Sequence, residues 1–260
     1  MRVVVTGATG RTGGEVAREV AERGHDLVPV SREPSGTIAG ADLRPAEDLP
    51  ALLDEAAASG DAVLVDFTVP VASAEYLSAA AAAGVPAVVG TTGFNSEGTA
   101  ALREAADSVP VLKASNFARG VQALLNVVRE AATALPDYDV ELTETHHNGK
   151  RDAPSGTANT LLDELDDARE DALDRTYGRE GEDPREPGQV GVHVRRAGTV
   201  RGEHEVMFAD NDEVLSLTHR AESRGVFAAG AVDAAEWLAG REAGWYEFGD
   251  VIGDGGDDGV

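Results

Sequence analysis

Residues that can carry a positive charge cluster between positions 145 and 157 of a strongly acidic chain. Four of them fall within six positions: His146, His147, Lys150 and Arg151. The 260-residue sequence has 22 Lys and Arg against 47 Asp and Glu, a formal net charge of −25 at pH 7. Imidazoles and an ammonium group attract anions and can transfer protons near neutral pH. Because cations are scarce elsewhere in the chain, the cluster predicts a pocket for a small anion rather than surface decoration.

The cluster ends in the pattern of a helix start. Ser155 is a candidate N-cap, and the N–H groups that follow such a cap can bind a carboxylate or a phosphate. Together with the imidazoles and the ammonium group, this helix start predicts a site for a small dicarboxylate. His146 and Lys150 are the candidate proton donors, and the residue types do not decide between them. We expect no metal ion, because consecutive histidines on a strand point apart and no carboxylate completes a ligand set.

A glycine-rich loop near the N-terminus predicts a dinucleotide site. It follows an apolar strand, precedes a helical pattern, and consists of Gly7, Ala8, Thr9, Gly10, Arg11, Thr12 and Gly13. Glycines at such a turn let backbone N–H groups approach a pyrophosphate at the positive end of the helix. Many folds use glycine in this turn for geometry alone, but the position between a strand and a helix favours a dinucleotide.

The end of the second predicted strand bears on the choice of dinucleotide. NAD-binding domains usually have an acid about 20 residues after the glycine loop, whereas this chain has Ser31 and Arg32, with Glu33 next. Arginine can pair with the 2′-phosphate of NADP, and serine can donate a hydrogen bond to it. We therefore expect NADPH as the preferred cofactor and NADH as a possible second one. The alternative is that Arg32 is a solvated loop residue.

Two further loops follow predicted strands of the same region. They contain Gly90, Thr91 and Thr92 in one case, and Ala114, Ser115, Asn116 and Phe117 in the other. Loops at the carboxyl ends of parallel strands line the ligand crevice, so we expect both loops to border the cofactor. An ordinary turn explains the first loop equally well. In the second, the Asn116 amide could bond to backbone groups, and Phe117 could stack on the cofactor or pack in the core.

The pattern of elements predicts two domains. Short apolar runs alternate with helical patterns at first, which is typical of a Rossmann-like α/β domain with a parallel sheet. After Pro136 the runs at 190–196, 203–208 and 213–219 are predicted to form an antiparallel set. We expect a nucleotide-binding domain at 1–117 plus 225–260, and an α+β substrate and oligomerisation domain at 118–224 with an open mixed or antiparallel sheet. The tail after Ala239 is predicted to be frayed.

The composition restricts location and partners. The absence of cysteine excludes disulfides and thiolate metal sites. We expect a cytoplasmic protein, because there is no apolar run of about 18 residues and no signal-peptide pattern at the N-terminus. The net charge disfavours nucleic acid and anionic membranes as partners. Apart from a run at 163–171 and the Asp/Gly-rich end, the acidic residues are dispersed along the chain, and lysine is scarce. Both features indicate a protein that is adapted to molar salt, as in a halophile.

The chain resembles the 4-hydroxy-tetrahydrodipicolinate reductase family over nearly its whole length. The segments that carry the resemblance are VTGATGRTGG at the start, DFTVP at 66–70, VVGTTGF at 88–94, SNFARGV at 115–121, THHNGKRDAPSGTA at 145–158, RAGTVRGEHEVMFAD at 196–210 and LTHRAESRGVFAAGAVDAAEWL at 217–238. The resemblance implies reduction of the cyclic hydroxy-imine product of dihydrodipicolinate synthase to tetrahydrodipicolinate, with loss of water, in lysine biosynthesis. It also implies a homotetramer formed through the second domain.

The resemblance assigns roles to the motif residues. It implies that residues 7–12 wrap the pyrophosphate, that Arg32 meets the NADP phosphate, and that residues 90–92 and 114–117 border the nicotinamide. His146 and Lys150 are the implied proton donors, and the residues implied to hold the substrate carboxylates are His147, Gly156 and Thr157. Two departures concern the cofactor: Ser31 stands where many members have an acid, and Val69 replaces a frequent arginine.

Two other functions fit parts of the sequence. An NADP-sensing regulator could share the glycine loop, but it would need no dicarboxylate pocket at 146–157. A semialdehyde dehydrogenase would need a nucleophilic cysteine, and the chain has none.

We predict that folding depends on salt, because counterions screen the self-repulsion of a chain at −25. The melting temperature should rise markedly between dilute buffer and molar KCl when unfolding is followed by circular dichroism. An unchanged melting temperature would contradict the prediction.

Overall fold

The computed structural model describes residues 1–169 and 172–254. These residues fold into two compact units. The first unit comprises residues 1–118 and 224–254, and the second comprises residues 119–169 and 172–223. None of the described helices has the length and apolar character needed to cross a membrane. In chain order, the elements are β1 (Arg2–Thr6), α1 (Gly13–Glu22), β2 (Asp26–Ser31), β3 (Thr37–Ile38), β4 (Ala41–Asp42), β5 (Arg44–Pro45), α2 (Leu49–Ala57), β6 (Ala62–Asp66), α3 (Pro70–Ala83), β7 (Ala87–Val89), α4 (Ser96–Ala106), β8 (Pro110–Lys113), α5 (Arg119–Ala134), β9 (Asp139–His146), α6 (Gly156–Ala168), β10 (Asp174–Tyr177), β11 (Gln189–Arg196), β12 (Gly202–Asp210), β13 (Glu213–Ala221), α7 (Gly225–Leu238), β14 (Gly244–Tyr246) and α8 (Phe248–Asp254).

The first unit is built on a parallel sheet with the strand order β14-β8-β7-β6-β1-β2-β5. Its central strands are buried on both faces: in β1, Val3 and Val5 join one core and Val4 joins the other. One core packs α1, α7 and α8 against the sheet, and the other packs α2, α3 and α4. A parallel sheet covered on both sides has no solvated face, which explains its valine-rich strands. The predicted Rossmann-like α/β fold is confirmed.

The C-terminal segment forms regular structure, so the prediction of a frayed tail is wrong for residues 244–254. β14 extends the parallel sheet beside β8, and α8 follows it. Aromatic residues anchor the segment: the Arg103 guanidinium lies 3.7 Å from the Trp245 ring centre, and Phe248 packs edge-on against Phe117. The rest of the predicted tail, 255–260, lies outside the described residues.

The second unit contains a mixed sheet with the strand order β10-β11-β9-β12-β13. β9, β12 and β13 are antiparallel neighbours, whereas β11 runs parallel to β9 and β10 runs parallel to β11. The α+β fold with a mixed sheet is therefore confirmed, but the expectation that 190–196 belongs to an antiparallel set is wrong. The chain passes from β9 through α6 before it returns, and such a crossover brings the next strands back in the same direction. Of the acidic run at 163–171, the last two residues lie outside the described part.

The alternation of β9 determines where its polar residues lie. Val140, Leu142, Glu144 and His146 are buried, while the intervening residues are half-buried. Successive side chains of a strand point to opposite faces, so Glu144 and His146 share a face with the two apolar residues. The buried face of β9 is thus apolar at its beginning and polar at its end.

Candidate functional site

A cavity of about 310 Å³ in the first unit brings together part of the predicted cofactor site. The predicted residues that line it are Gly7, Thr9, Gly10, Ser31 and Arg32. Residues 67–69 after β6, and Ala72 and Tyr76 on α3, complete much of the remaining wall. Of these, the sequence analysis connected only Val69 with the cofactor. The carboxyl ends of β1, β2 and β6 meet at this cavity, which is where a parallel sheet binds ligands.

The backbone at Gly7 requires glycine. Its φ is +74°, and an added Cβ would lie 2.3 Å from the Phe67 carbonyl oxygen. The Gly10 N–H donates to the Gly7 carbonyl at 2.8 Å and tightens the turn. Ala8 is fully buried, and its N–H donates to the Val30 carbonyl at 3.3 Å, so Ala8 supports the loop from the core. The remaining loop residues, Arg11 and Thr12, lead into α1 and do not line this cavity.

Hydroxyl groups and one guanidinium lie at the end of β2. The Ser31 and Thr9 hydroxyls are 3.1 Å apart, and the Glu33 N–H donates to the Ser31 hydroxyl. Burial raises the pKa of Tyr76, the Asp66 carboxylate raises it further, and the nearby charge of Arg32 opposes that rise. Arg32 therefore acts electrostatically on the cavity wall. The wall combines hydroxyls, the Arg32 guanidinium and the Glu33 carboxylate.

A buried carboxylate holds three of the strand ends together. Asp66, at the end of β6, accepts hydrogen bonds from the hydroxyls of Thr6 at 2.7 Å, Thr68 at 2.7 Å and Thr91 at 2.6 Å. The Thr91 hydroxyl also accepts the Thr68 N–H at 2.8 Å, so its bonding capacity is used within the protein. The Gly90 N–H donates to the Asp66 carbonyl at 2.8 Å, and Thr92 is exposed. In this loop, Thr91 has a structural role that the sequence analysis did not anticipate.

The loop at 114–117 is divided between core and surface. Phe117 is 2% exposed and packs against Phe67, with ring centroids 5.8 Å apart, so its side chain packs in the core instead of stacking on a ligand. Asn116 accepts the Ala118 N–H at 2.9 Å, which matches the predicted bond from its amide group to backbone. Ala114 is half-buried and Ser115 is exposed.

His146 is paired with a carboxylate that the sequence analysis did not identify. Its Nδ1 contacts the carboxylate of Glu144, which has no exposed surface. Burial raises the pKa of Glu144, but hydrogen bonds from His146 and Arg196 outweigh this and lower it to about 2. Glu144 is therefore ionised and accepts the Nδ1–H of His146. The premise that no carboxylate accompanies the histidines is wrong, although alternation alone puts residues 144 and 146 on one face.

Lys150 lies in the loop that follows β9. Its Nζ donates to Asp152 at 2.9 Å, and its N–H donates to the His147 carbonyl at 3.1 Å. Burial raises the pKa of Asp152, but the hydrogen bond from Lys150 and a backbone hydrogen bond lower it overall. These hydrogen bonds form a turn between His147 and Lys150 and hold the Lys150 ammonium group beside the ionised carboxylate of Asp152.

The predicted N-cap is confirmed at the start of α6. The Ser155 hydroxyl accepts the Ala158 N–H at 3.2 Å, and Gly156 and Thr157 are the first two residues of the helix. The same hydroxyl is 2.9 Å from Nε2 of His204, a buried residue of β12 that the sequence analysis did not single out. A capped helix start carries partial positive charge. The second unit thus has an anion-attracting helix start in the segment that also contains His146, His147 and Lys150.

Three possible metal ligands lie together in the second unit, but they already have other partners. Glu144, His146 and His204 offer atoms within 4.8 Å of one another. Arg196 donates to both oxygens of Glu144, at 3.1 and 2.8 Å, and His204 is engaged with Ser155. A guanidinium that already neutralises the carboxylate disfavours a cation beside it. The arrangement is a hydrogen-bond network with two imidazoles.

The sequence matches one family in both halves. Residues 1–117 match "Dihydrodipicolinate reductase, N-terminus" and residues 120–252 match "Dihydrodipicolinate reductase, C-terminus". A 4-hydroxy-tetrahydrodipicolinate reductase from Natronomonas pharaonis is 66% identical, with 97% of this chain and 100% of that one covered. One from Haloarcula marismortui is 51% identical, with 96% and 98% covered. Both sources are halophilic archaea, which agrees with the acidic composition.

A solved structure shares the fold. It is a dipicolinate-bound dihydrodipicolinate reductase from Paenisporosarcina sp. TG-14, with a TM-score of 0.75 at 21% identity. The match covers 95% of this chain and 97% of that one.

The buried His204 should make stability depend on pH. Burial, reinforced by the charge of His146, lowers its pKa from 6.5 to about 4, so the unfolded chain binds a proton more readily between these values. The free energy of unfolding should therefore fall as pH drops from about 6.5 to about 4, by up to about 3 kcal/mol from this residue. Urea unfolding in molar KCl should show a shallower fall for His204→Gln. A variant with the wild-type slope would refute the assignment.

Proposed function

The chain belongs to the dihydrodipicolinate reductase family, and we propose that it uses NADPH as the preferred hydride donor, with His146 and Lys150 as proton donors. It is an oxidoreductase that reduces 4-hydroxy-2,3,4,5-tetrahydrodipicolinate to tetrahydrodipicolinate with a pyridine nucleotide, a step of diaminopimelate and lysine biosynthesis. The observation that carries the proposal of proton donors is the buried pair of His146 and Glu144, in the same short segment as Lys150 and the start of α6.

The chemistry of the step defines what the second unit must do. The substrate loses its hydroxyl group as water and gains a hydride and a proton, so the site must supply protons and hold two carboxylates. We assign the protons to Nε2 of His146 and Nζ of Lys150. The residues proposed to hold the substrate carboxylates are His147, Gly156 and Thr157. An imidazole and the positive end of α6 support that role, because both attract anions.

The cavity in the first unit fits a dinucleotide. At Gly7 a side chain would collide with the Phe67 carbonyl, so glycine allows the tight turn that pyrophosphate-binding loops use. NADPH, when bound, supplies the hydride. We propose that residues 7–12 hold the pyrophosphate, that Ser31 and Arg32 bind the 2′-phosphate, and that residues 90–92 and 114–117 border the nicotinamide. For Thr91 and Phe117 this contact would come from backbone atoms, because the Thr91 hydroxyl is hydrogen-bonded to Asp66 and the Phe117 ring is buried in the core.

We also propose a homotetramer in the cytoplasm. Supporting the assembly, β13 is an edge strand with exposed apolar side chains, Val214 at 63% and Leu215 at 38%. Burial of an edge strand against another copy removes unpaired backbone groups and apolar surface from water. Light scattering in molar KCl should then give four times the 27.0 kDa chain mass.

The function is tested by NADPH oxidation in molar KCl, with the product of dihydrodipicolinate synthase generated in situ. We expect His146→Gln and Lys150→Ala each to lower kcat by on the order of 10²–10⁴-fold, because each removes a proton donor. The dissociation constant of NADPH should stay unchanged. His193→Gln, on β11, is the matched control and should keep kcat. Unchanged turnover in either variant would remove that residue from catalysis, and no substrate-dependent oxidation by the wild type would refute the function.

The cofactor preference is tested at Arg32. Loss of a charge-assisted hydrogen bond to the 2′-phosphate should raise KM for NADPH in Arg32→Ala by on the order of 10- to 100-fold. KM for NADH should change little, because NADH lacks that phosphate. Arg18→Ala, which removes a half-exposed arginine paired with Glu15, is the control. Equal effects on both cofactors would contradict the assignment.

A further inference from the structure

The Glu144 carboxylate accepts four hydrogen bonds inside the second unit. Its Oε2 accepts Nδ1 of His146 and one guanidinium N–H of Arg196 at 3.1 Å. Its Oε1 accepts the second guanidinium contact at 2.8 Å and the Ser155 N–H at 3.0 Å. Each oxygen therefore has two donors, and the bidentate contact with Arg196 fixes the carboxylate plane. A group bonded in this way cannot rotate without losing several contacts at once.

These contacts close the loop that carries Lys150. The segment begins at His146 and ends at Ser155, and both residues bond to Glu144. Arg196 adds a third tie, because its Nη2 also donates to the Asp152 carbonyl at 2.6 Å. One buried carboxylate is thus connected to the beginning, the end and the interior of residues 146–155. The loop is thus fixed at its base by the contacts of its two ends with Glu144.

The pairing also determines which nitrogen of His146 can exchange protons with a ligand. Because Glu144 is ionised and accepts from Nδ1, the neutral imidazole carries its proton on Nδ1 and has Nε2 as the acceptor. Gly202 lies beside that second nitrogen, and an added Cβ would come within 3.1 Å of it. Glycine at position 202 therefore leaves no side chain pressed against Nε2.

We propose that Glu144, held by Arg196, is the positioning residue that orients His146 and keeps its Nδ1 protonated, so that Nε2 takes up a proton from solvent and then donates that proton to the substrate. The inference rests on the proposed function, in which His146 is a proton donor. A purely structural role explains the geometry less well, since an ion pair in a core is often no more stabilising than apolar residues of similar size. Val140 and Leu142 occupy the preceding positions on the same face. That buried face changes from apolar to polar at Glu144 and His146, and His146 is the residue assigned to proton transfer.

The chain contains a matched control for this arrangement. Glu141, on the opposite face of β9, also pairs with a histidine and an arginine: His193 Nε2 at 2.6 Å and Arg185 Nη1 at 2.5 Å. Glu144→Gln and Glu141→Gln therefore remove the same charge from the same kind of triad on one strand. Only the first touches the imidazole assigned to catalysis.

Steady-state kinetics with a double-variant cycle form the first test. We expect Glu144→Gln to lower kcat by on the order of 10²-fold or more, as loss of the correct tautomer does in other carboxylate–histidine pairs. NADPH affinity should remain within about twofold, and Glu141→Gln should keep kcat. In the His146→Gln background, Glu144→Gln should cause no further loss of kcat, because its effect passes through His146. A multiplicative loss in the double variant would overturn the proposal.

A spectroscopic measurement separates this proposal from the proposed function. In free enzyme labelled with ¹⁵N-histidine, the His146 signals should report the Nδ1–H form, and Glu144→Gln should abolish that preference while Glu141→Gln preserves it. If Glu144→Gln fails to fold, Arg196→Lys keeps the charge but loses the bidentate contact, and it should lower kcat at unchanged NADPH affinity. Full activity of His146→Gln would refute the proposed function. A retained Nδ1–H signal and wild-type kcat in Glu144→Gln would refute the positioning role alone.

Discussion

A carboxylate that is taken out of water must be surrounded by donors, and this requirement organises both units. The desolvation of an unpaired carboxylate costs several kcal/mol, so a buried Asp or Glu is stable only within a fixed set of hydrogen bonds. Asp66 meets the requirement with the hydroxyls of Thr6, Thr68 and Thr91, and Glu144 meets it with Arg196, His146 and Ser155. In each unit the carboxylate lies at or near the end of a strand, so its donors come from the ends of neighbouring strands and from the loops that follow them.

The two carboxylates recruit different donors, which matches the chemistry around them. Asp66 is surrounded by neutral hydroxyls, so its negative charge is solvated but not cancelled, beside a cavity proposed for a dinucleotide. Glu144 is bonded to a guanidinium, so its charge is compensated where a dianionic substrate is proposed to bind. An uncompensated carboxylate would repel such a ligand at short range. The arginine therefore serves two purposes: it fixes the orientation of Glu144, and it keeps the end of β9 from being negative.

The fold and the helix start at Ser155 could be predicted because local rules decide them. Valine-rich strands, helix periods and the glycine loop identify the parallel sheet, and the scarcity of cations draws attention to residues 145–157. The parallel pairing of β11 and the order in 244–254 were missed, because the first depends on a crossover through α6 and the second on aromatic contacts with distant residues. Asp66, Glu144, Arg196 and His204 were missed for a related reason. Their roles depend on burial and on partners up to 60 positions away, neither of which a local motif encodes.

The acidic surface and the cationic site follow from one distribution of charge. Lysine is nearly absent, and many of the arginines are committed to carboxylates, as Arg23 is to Asp233 and Arg185 is to Glu141. Such pairs cancel locally and leave the overall field of the protein negative, which molar salt screens over about 3 Å. With screening over so short a distance, the net charge of the whole protein neither attracts nor repels a dianion appreciably. Capture of the substrate must then depend on groups in direct contact with it, and these must be held rigidly because no long-range field assists them. The buried Glu144 carboxylate, with its four hydrogen bonds, holds His146 by contacts that depend little on salt, because they are not exposed to the ions that weaken charges at the surface.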